Sequence, residues 1–447
     1  MIKASRYALF GKNIYHKRDR EFRGVYLTSA PRLFFLPAND VALMEDHKAS
    51  EISSLHIDKY IETGIVTYST PEAERLFSLQ RISNCNHSRA KRVFALMPTS
   101  LCNMCCDYCG QQTCPLRYDS TITADVIQRI YSTMLNRQVK EVEVRWYGGE
   151  PLMAFQSIKK MSSQLMEYAQ ETGTQYRATM STNGSLMTAE KLSQLYHDMG
   201  LRSLTVTIDG FRDFHNTSRK TRSGRATYDY ILDWISYFAQ HVTSFPHMHV
   251  AIRVNITKHN AISIPYLISD LKNHKLDQAG IELQLIPVYD WGHSNGDLQL
   301  DNDSLNESMI ANIRQALHSG IFIRMLPTST CGSICIATNR SSELIDSRGN
   351  IYNCTEFPLV PQYQNQNILE NIDTICSNSL RPSNEFDNWV ERYLQQRKVP
   401  CSDCVFLPVC GGACPKRWLE GTPACPIYTK QFDQRLDLFA EQAGYQK

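Results

Sequence analysis

The sequence predicts an α/β protein built on a partial (β/α)6 TIM-type barrel, with a winged-helix-like α+β module before it and a cysteine-rich, metal-binding region after it. Three observations carry that expectation. Between residues 91 and 320, six strand patterns alternate with amphipathic helix patterns, the sign of a parallel sheet with helical crossovers. Residues 1 to 90 give short strands and then short helices. The 15 cysteines fall into two groups, Cys85 to Cys114 and Cys331 to Cys425, with more than 200 cysteine-free residues between them. The expected spans are therefore 1–90, 91–320 and 321–447.

A chain of 447 residues is long enough for two or three domains with ample cores. Its 47 basic residues balance 45 acidic ones, which implies no general pull toward nucleic acid or an anionic membrane. The opening MIKASRYALFGKN lacks the apolar core of a secretory signal, and no run approaches a membrane span. The sequence reads as cytoplasmic, where clustered thiols bind metal more often than they pair. An odd cysteine count also fits a disulfide framework poorly.

In the first span, Phe22 to Thr28 and Leu33 to Leu36 read as a hairpin around Ser29-Ala30-Pro31. Helices are expected at Ala38 to Glu45 and at Ile57 to Thr63, the second stopped by Gly64, before a strand Ile65 to Tyr68. Thr70-Pro71-Glu72 supplies the cap, first-turn proline and acid of another helix. Such a layout has an open strand edge that can receive a peptide as an added strand; an N-terminal cap on the barrel is the alternative. The polar stretch Ser83 to Arg89 reads as a linker.

The barrel strands are expected at Val93 to Met97, Glu141 to Trp146, Gln175 to Ser181, Ser203 to Ile208, His249 to Ile256 and Ile281 to Val288. Helices fit around Ala124 to Asn136, Ser157 to Thr172, Ala189 to Met199, Tyr228 to Ala239 and Ile264 to Asn273. Chemistry in such a barrel collects at the C-terminal ends of the strands. Just after the first strand comes SLCNMCCDYC, Ser100 to Cys109, in which Cys102, Cys106 and Cys109 are spaced by three and then two residues. At this cysteine content the triplet arises by chance about 0.02 times per chain, so the spacing is informative. Three thiolates on one loop suit three corners of a cubane iron–sulfur cluster and leave the fourth iron open; a structural zinc knuckle or free thiols are the alternatives. Later strand ends add Tyr147-Gly148-Gly149-Glu150-Pro151, Ser181-Thr182-Asn183-Gly184, Asp209-Gly210, and Arg253 with Asn255. Glycines let backbone approach a ligand, Glu150 is expected to face the site, and an acid, a base and neutral polar groups suit an amino-acid zwitterion and a ribose.

These residues resemble the radical SAM superfamily, enzymes that cleave S-adenosylmethionine reductively. The resemblance implies that Cys102, Cys106 and Cys109 hold a [4Fe–4S] cluster whose open iron chelates the methionine end of the cofactor, while Cys105 stays outside the set. It implies cofactor contacts from Tyr108, Gly148, Gly149, Glu150 and Pro151, and from Ser181, Asn183 and Arg253 to its carboxylate or ribose. The reaction implied is formation of a 5′-deoxyadenosyl radical that removes hydrogen from a substrate. It needs an electron from a low-potential donor such as ferredoxin or flavodoxin, a demand zinc cannot meet.

The second cysteine group reads Cys335, thirteen residues, Gly349, four residues and Cys354, then Cys401, Cys404, Cys410, Cys414 and Cys425. This resembles the SPASM extension of radical SAM enzymes that modify peptides. The resemblance implies two auxiliary [4Fe–4S] clusters, one on Cys335, Cys354 and Cys414 with Cys331 as fourth ligand, the other on Cys401, Cys404, Cys410 and Cys425. A zinc ribbon from Cys401, Cys404, Cys410 and Cys414 is the alternative. Cys85, Cys114 and Cys376 read as ordinary small hydrophobes.

The expected substrate is a ribosomally made precursor peptide with a leader segment, gripped by the first span and crosslinked or otherwise modified. Formylglycine formation, as in the related anaerobic sulfatase-maturating enzymes, is expected less, because Thr355 rather than an Asp follows Cys354. A non-peptide substrate and a non-catalytic iron–sulfur sensor are the other readings. Asp209 and Glu356 are the candidate bases.

Overall fold

The computed structural model describes residues 2–289, 296–300, 302–363 and 366–447. These form two compact units that interleave along the chain. One comprises residues 89–324 and 340–384; the other comprises 1–88, 325–339 and 385–447.

The first unit is organised by a nine-stranded sheet. Its six barrel strands lie side by side in chain order: Lys91–Leu96, Glu141–Trp146, Gln175–Thr182, Leu201–Thr207, His249–Ile256 and Glu282–Pro287. Every neighbouring pair is parallel. Period-two alternation explains the layering. Val142, Val144 and Trp146 of the second strand are buried, as are Leu204 and Val206 of the fourth and Val250, Ile252 and Val254 of the fifth. The intervening positions (Glu141, Glu143 and Arg145; Ser203, Thr205 and Thr207; Arg253 and Asn255) give each strand a polar face. Crossover helices follow the expected signals. Ser120–Met134 starts where Asp119 accepts from the Ile122 N–H at 2.8 Å, and Phe155–Thr172 stops at left-handed Gly173, φ 66°.

The sheet continues past the barrel. Ser342–Ile345 adds parallel to the first strand, and Asn350–Tyr352 and Glu370–Asn371 follow antiparallel. Residues 340–384, expected from sequence to group with the C-terminal cysteines, thus pack with the barrel. The physical reasons are this strand pairing and a buried ion pair. Arg129 grips Glu343 through Nε and Nη2 at 2.5 and 2.7 Å, both side chains about 1% exposed.

The second unit begins with an antiparallel meander, Ala8–Lys17, Arg20–Leu27 and Arg32–Pro37, followed by helices Ala38–Glu45, Ser54–Thr63 and Pro71–Asn86. Val25 and Leu27 join Val41, Met44 and Tyr60 on one face of the meander. Tyr26, pointing the other way, joins Phe432 and Leu436 of the C-terminal helix Phe432–Gln442. That helix approaches closely: a Cβ on Gly11 would stand 2.4 Å from Leu436 Cδ1, so any larger residue there must push the Leu436 side chain aside. Two details depart from expectation. Strand Ala8–Lys17 was not anticipated, and helix Pro71–Asn86 runs into the segment read as a linker. There Ser83 donates to Glu391 at 2.5 Å, and Asn86 accepts from the Ile334 N–H at 3.1 Å.

Candidate active site

At the C-terminal rim of the barrel, a cavity of about 490 Å³ is lined by Cys102, Cys106 and Cys109, by Gly148 and Gly149, and by Ser181, Asn183 and Arg253. Loops after the first three strands, together with Ser181 and Arg253 within the third and fifth strands, thus deliver residues expected from sequence to one space. The cysteine loop is pinned by regular structure. Met104–Cys106 pairs antiparallel with Arg219–Thr221, and Cys106 lies opposite Arg219. A tight turn follows, its Cys109 N–H donating to the Cys106 carbonyl at 3.0 Å. Cys105, one residue along the ribbon, is exposed with its thiol toward the Lys220 carbonyl.

The glycines matter for different reasons. Gly148 has φ 129°, and a Cβ there would lie 2.6 Å from the Thr99 carbonyl. A Cβ on Gly149 would lie 2.2 Å from the Leu101 carbonyl. Only glycines let this strand end close on the cysteine loop.

Glu150 does not face the cavity as expected. It is fully buried, accepting from the Leu152 N–H at 3.0 Å, Thr182 Oγ1 at 2.7 Å and the Asn183 N–H at 2.8 Å. Burial pushes its carboxyl up and the three donors pull the other way. Its role is to lock the ends of the second and third strands together. Pro151, also buried, opens a single turn of 3₁₀ helix behind it. Asn183 donates through Nδ2 to Asn103 Oδ1 at 2.9 Å and lies 3.9 Å from Cys102 Sγ, while Ser181 is exposed in the cavity wall.

The two candidate bases part company. Asp209 is fully buried beneath Tyr108. It accepts from the Tyr108 hydroxyl, from the Asn255 N–H at 2.6 Å and from Asn255 Nδ2 at 3.2 Å, and pairs with Arg219 at 3.2 Å. The Tyr108 hydroxyl in turn accepts from Arg219 and, at 3.0 Å, from Asn255 Nδ2. Burial holds the phenol well above its ordinary range. Asp209 therefore positions Tyr108 and Arg219 and does not reach the cavity as a base. Glu356 does line the cavity, with Thr355, and lies electrostatically close to Tyr147 along with Cys109, Arg253 and Cys354. Tyr147 and Arg219 were not anticipated as site residues. Arg219 sits in a polar stretch whose meaning appears only when its strand pairs with Cys106.

The residues fit the implied cluster. Burial pushes the thiols of Cys102 and Cys106 up, the latter to about 12, so binding must displace their protons. Four thiolates on one zinc stand about 3.8 Å apart, from a Zn–S bond of about 2.3 Å. A cubane gives each thiolate its own iron and a wider spacing. Among the described residues, no three His, Cys, Asp or Glu side chains are grouped to hold a single metal ion.

In the other unit, Cys401 packs in the core beside Leu79, Trp389 and Leu407. Its ionisable neighbours are Cys410, Cys404 and Cys425, the set expected for one auxiliary cluster, and burial pushes Cys401 to about 12 and Cys410 to about 11. Cys414 neighbours Cys335, and Cys331 neighbours Cys410, Cys85 and Cys335. Cys354 belongs to the sheet unit. Cys376, expected to behave as a small hydrophobe, is exposed and donates to Asn378 Oδ1 at 2.9 Å.

Residues 96–260 match the family model described as the Radical SAM superfamily. A serine-type anaerobic sulfatase-maturating enzyme of Bacteroides thetaiotaomicron is 22% identical over 379 residues, 78% of this chain and 89% of the relative. The radical SAM cyclopropyl synthase TigE of Paramaledivibacter caminithermalis is 22% identical over 281 residues, 55% of this chain and 57% of the relative. Native anSMEcpe with bound AdoMet and Kp18Cys peptide shares the fold, with a TM-score of 0.56 at 15% identity over 79% of this chain and 98% of that one. The relatives thus include a sulfatase-maturating enzyme, the reading that Thr355 weighs against, and a cyclopropyl synthase. No helix among the described residues is long and apolar enough to cross a membrane.

Proposed function

This chain carries a radical SAM domain, and we propose that it removes a hydrogen atom from a residue of a peptide substrate. The observation that supports this most is the shared cavity: a CxxxCxxC loop, a glycine pair and polar residues of the third and fifth strands face one space. A bound cluster and S-adenosylmethionine would supply the one-electron reductive chemistry, with loss of methionine, by which the substrate hydrogen is removed. Cys102, Cys106 and Cys109 would hold the cluster. The backbone at Gly148 and Gly149, unobstructed by side chains, would meet the amino group of the methionine end, and Ser181, Asn183 and Arg253 its carboxylate or the ribose. Asp209, through Tyr108 and Arg219, keeps the cysteine ribbon fixed against the strand ends.

Glu356 is the carboxylate available on the cavity wall to orient a substrate residue or take its proton. The polar faces of the barrel strands offer a peptide backbone hydrogen-bonding partners. Cys401, Cys404, Cys410 and Cys425 would hold one auxiliary cluster and Cys331, Cys335 and Cys414 would serve a second, and a reducing cytoplasm suits both. The strand Arg32–Pro37, at the meander's edge, would receive a leader segment.

Two peptide-directed outcomes stand side by side: a crosslink within a precursor peptide, and the formylglycine formation that the resemblance to sulfatase-maturating enzymes implies. Anaerobic reconstitution, dithionite, S-adenosylmethionine and each candidate peptide separate them. A crosslink and a serine-derived aldehyde both remove two hydrogens from the peptide, but only the aldehyde is captured by a hydrazine probe. Absence of 5′-deoxyadenosine from fully iron-loaded protein would overturn the whole reading.

A further inference from the structure

The antiparallel ribbon that pins the cysteine loop has an outer surface that the proposed chemistry does not use. Its second strand and turn read Arg219-Lys220-Thr221-Arg222-Ser223-Gly224-Arg225. Arg219 turns inward to Asp209 and Tyr108. Lys220, Arg222 and Arg225 are exposed, three cations within six residues of a chain whose overall formal charge is only +2. One acid stands near them: Asp107, 4.0 Å from the Lys220 ammonium, both about half exposed. Arg222 donates through Nε to the Cys102 carbonyl at 3.0 Å and through Nη2 to Thr113 at 2.6 Å, so it braces the cysteine loop. The Lys220 side chain meets the loop only through the half-exposed Asp107, at 4.0 Å. Cys105, on the ribbon itself, is exposed, so the cysteine loop reaches the surface here.

Electron transfer between proteins falls steeply with distance, so a donor must come close to the cluster it reduces. A cationic surface gathers an anionic partner and raises its rate of encounter. We propose that the outer face of the 219–225 ribbon is the docking surface for an acidic one-electron carrier protein of low potential. This rests on the reading of Cys102, Cys106 and Cys109 as cluster ligands. In the step itself, one electron leaves the carrier's reduced flavin and enters the cluster, which passes from the 2+ to the 1+ state. No bond forms, and the ribbon exchanges no proton. The cations act only before transfer, by orienting the carrier over the cysteine loop.

The test follows absorbance bleaching of the reconstituted holoenzyme by stopped flow, with an acidic flavodoxin in its two-electron-reduced form as the probe and dithionite as the control. In the K220E/R225E double variant, the flavodoxin-driven rate constant at low salt should fall about tenfold or more, with iron content and the dithionite-driven rate unchanged. Raising KCl should slow the wild-type reaction and leave the variant's nearly flat. A flavodoxin rate that is the same in both proteins would overturn the proposal. So would a variant that keeps that rate while its KM for an acidic substrate peptide rises, which would make the ribbon a substrate surface. Failure of the functional reading looks different: dithionite-reduced wild type would form no 5′-deoxyadenosine whatever the ribbon carries. If the double variant loses iron, the single Lys220→Ala and Arg225→Ala variants carry the same test with a smaller expected drop, about twofold to threefold each.

Discussion

The two cysteine regions are held in opposite ways. Cys102, Cys106 and Cys109 hang from a two-stranded ribbon and a glycine-lined strand end, so backbone hydrogen bonds and the parallel sheet fix them. Cys401 and Cys410 sit on single helical turns, Pro400–Asp403 and Leu407–Cys410, Cys404 caps the first, and Cys401 is itself part of a small core. A short turn has almost no helical stability of its own. The first region is thus a preformed socket, whereas the second leans on whatever its thiols bind.

Four predictions break or sharpen that contrast. The largest effect is on chemistry. Replacing Cys102, Cys106 and Cys109 together by Ala should abolish 5′-deoxyadenosine formation and remove about four of about twelve iron atoms per chain. The melting temperature should move by no more than about 2 °C, because the ribbon pairs through its backbone. A large drop would show that the socket is not preformed.

The reverse balance is expected for Cys401→Ala with Cys404→Ala. About four iron atoms should again be lost, but calorimetry should now show melting lowered by about 5 °C or more. Unchanged melting would erase the distinction between the regions.

Within the socket, the two carboxylates should separate by what they impair. Asp209→Asn strips the buried Arg219 of its counter-charge and should slow 5′-deoxyadenosine formation about tenfold at full iron content. Glu356→Gln should leave that rate within about twofold and lower the yield of modified peptide per 5′-deoxyadenosine. Parallel losses in both variants would return Asp209 to the list of bases.

The smallest effect is on the barrel's polar face. Burial would raise the Glu143 carboxyl, but Arg145 and Lys91 more than reverse it, to about 2. A depressed acid contributes stability above its unfolded pKa, near 4.5, and loses that contribution as the pH falls toward about 2. Its cationic partners are about one-third to nearly one-half exposed, so Glu143→Gln should cost about 1–2 kcal/mol at pH 7. The variant should also melt with less dependence on pH between 4.5 and 2 than the wild type.

What the sequence revealed follows from how local each signal is. The Thr70 cap and the Gly64 stop act within one turn of their helices, and both helices end where those residues say. The barrel strands were legible because one face of each is mostly apolar, as Val142, Val144 and Trp146 show. Strand Ala8–Lys17 was hidden because its register shifts between Phe10 and Ile14, which breaks the alternation that marks a strand. The rim residues could be placed at strand ends, but not aimed. Glu150 and Asp209 occupy the expected positions and turn inward, because buried donors from other strands claim their oxygens. Such partners lie dozens of residues away, and no local pattern announces them. Arg219 was missed for the same reason.

The strand Ser342–Ile345, laid beside Lys91–Leu96, has a consequence during synthesis. The two segments lie about 250 residues apart, which a ribosome needs about 12–50 s to cover. Throughout that interval the nascent first strand has one bare backbone edge, and Arg129 waits without Glu343. A truncated message ending before Ser342 would release a polypeptide with that edge permanently open to other chains.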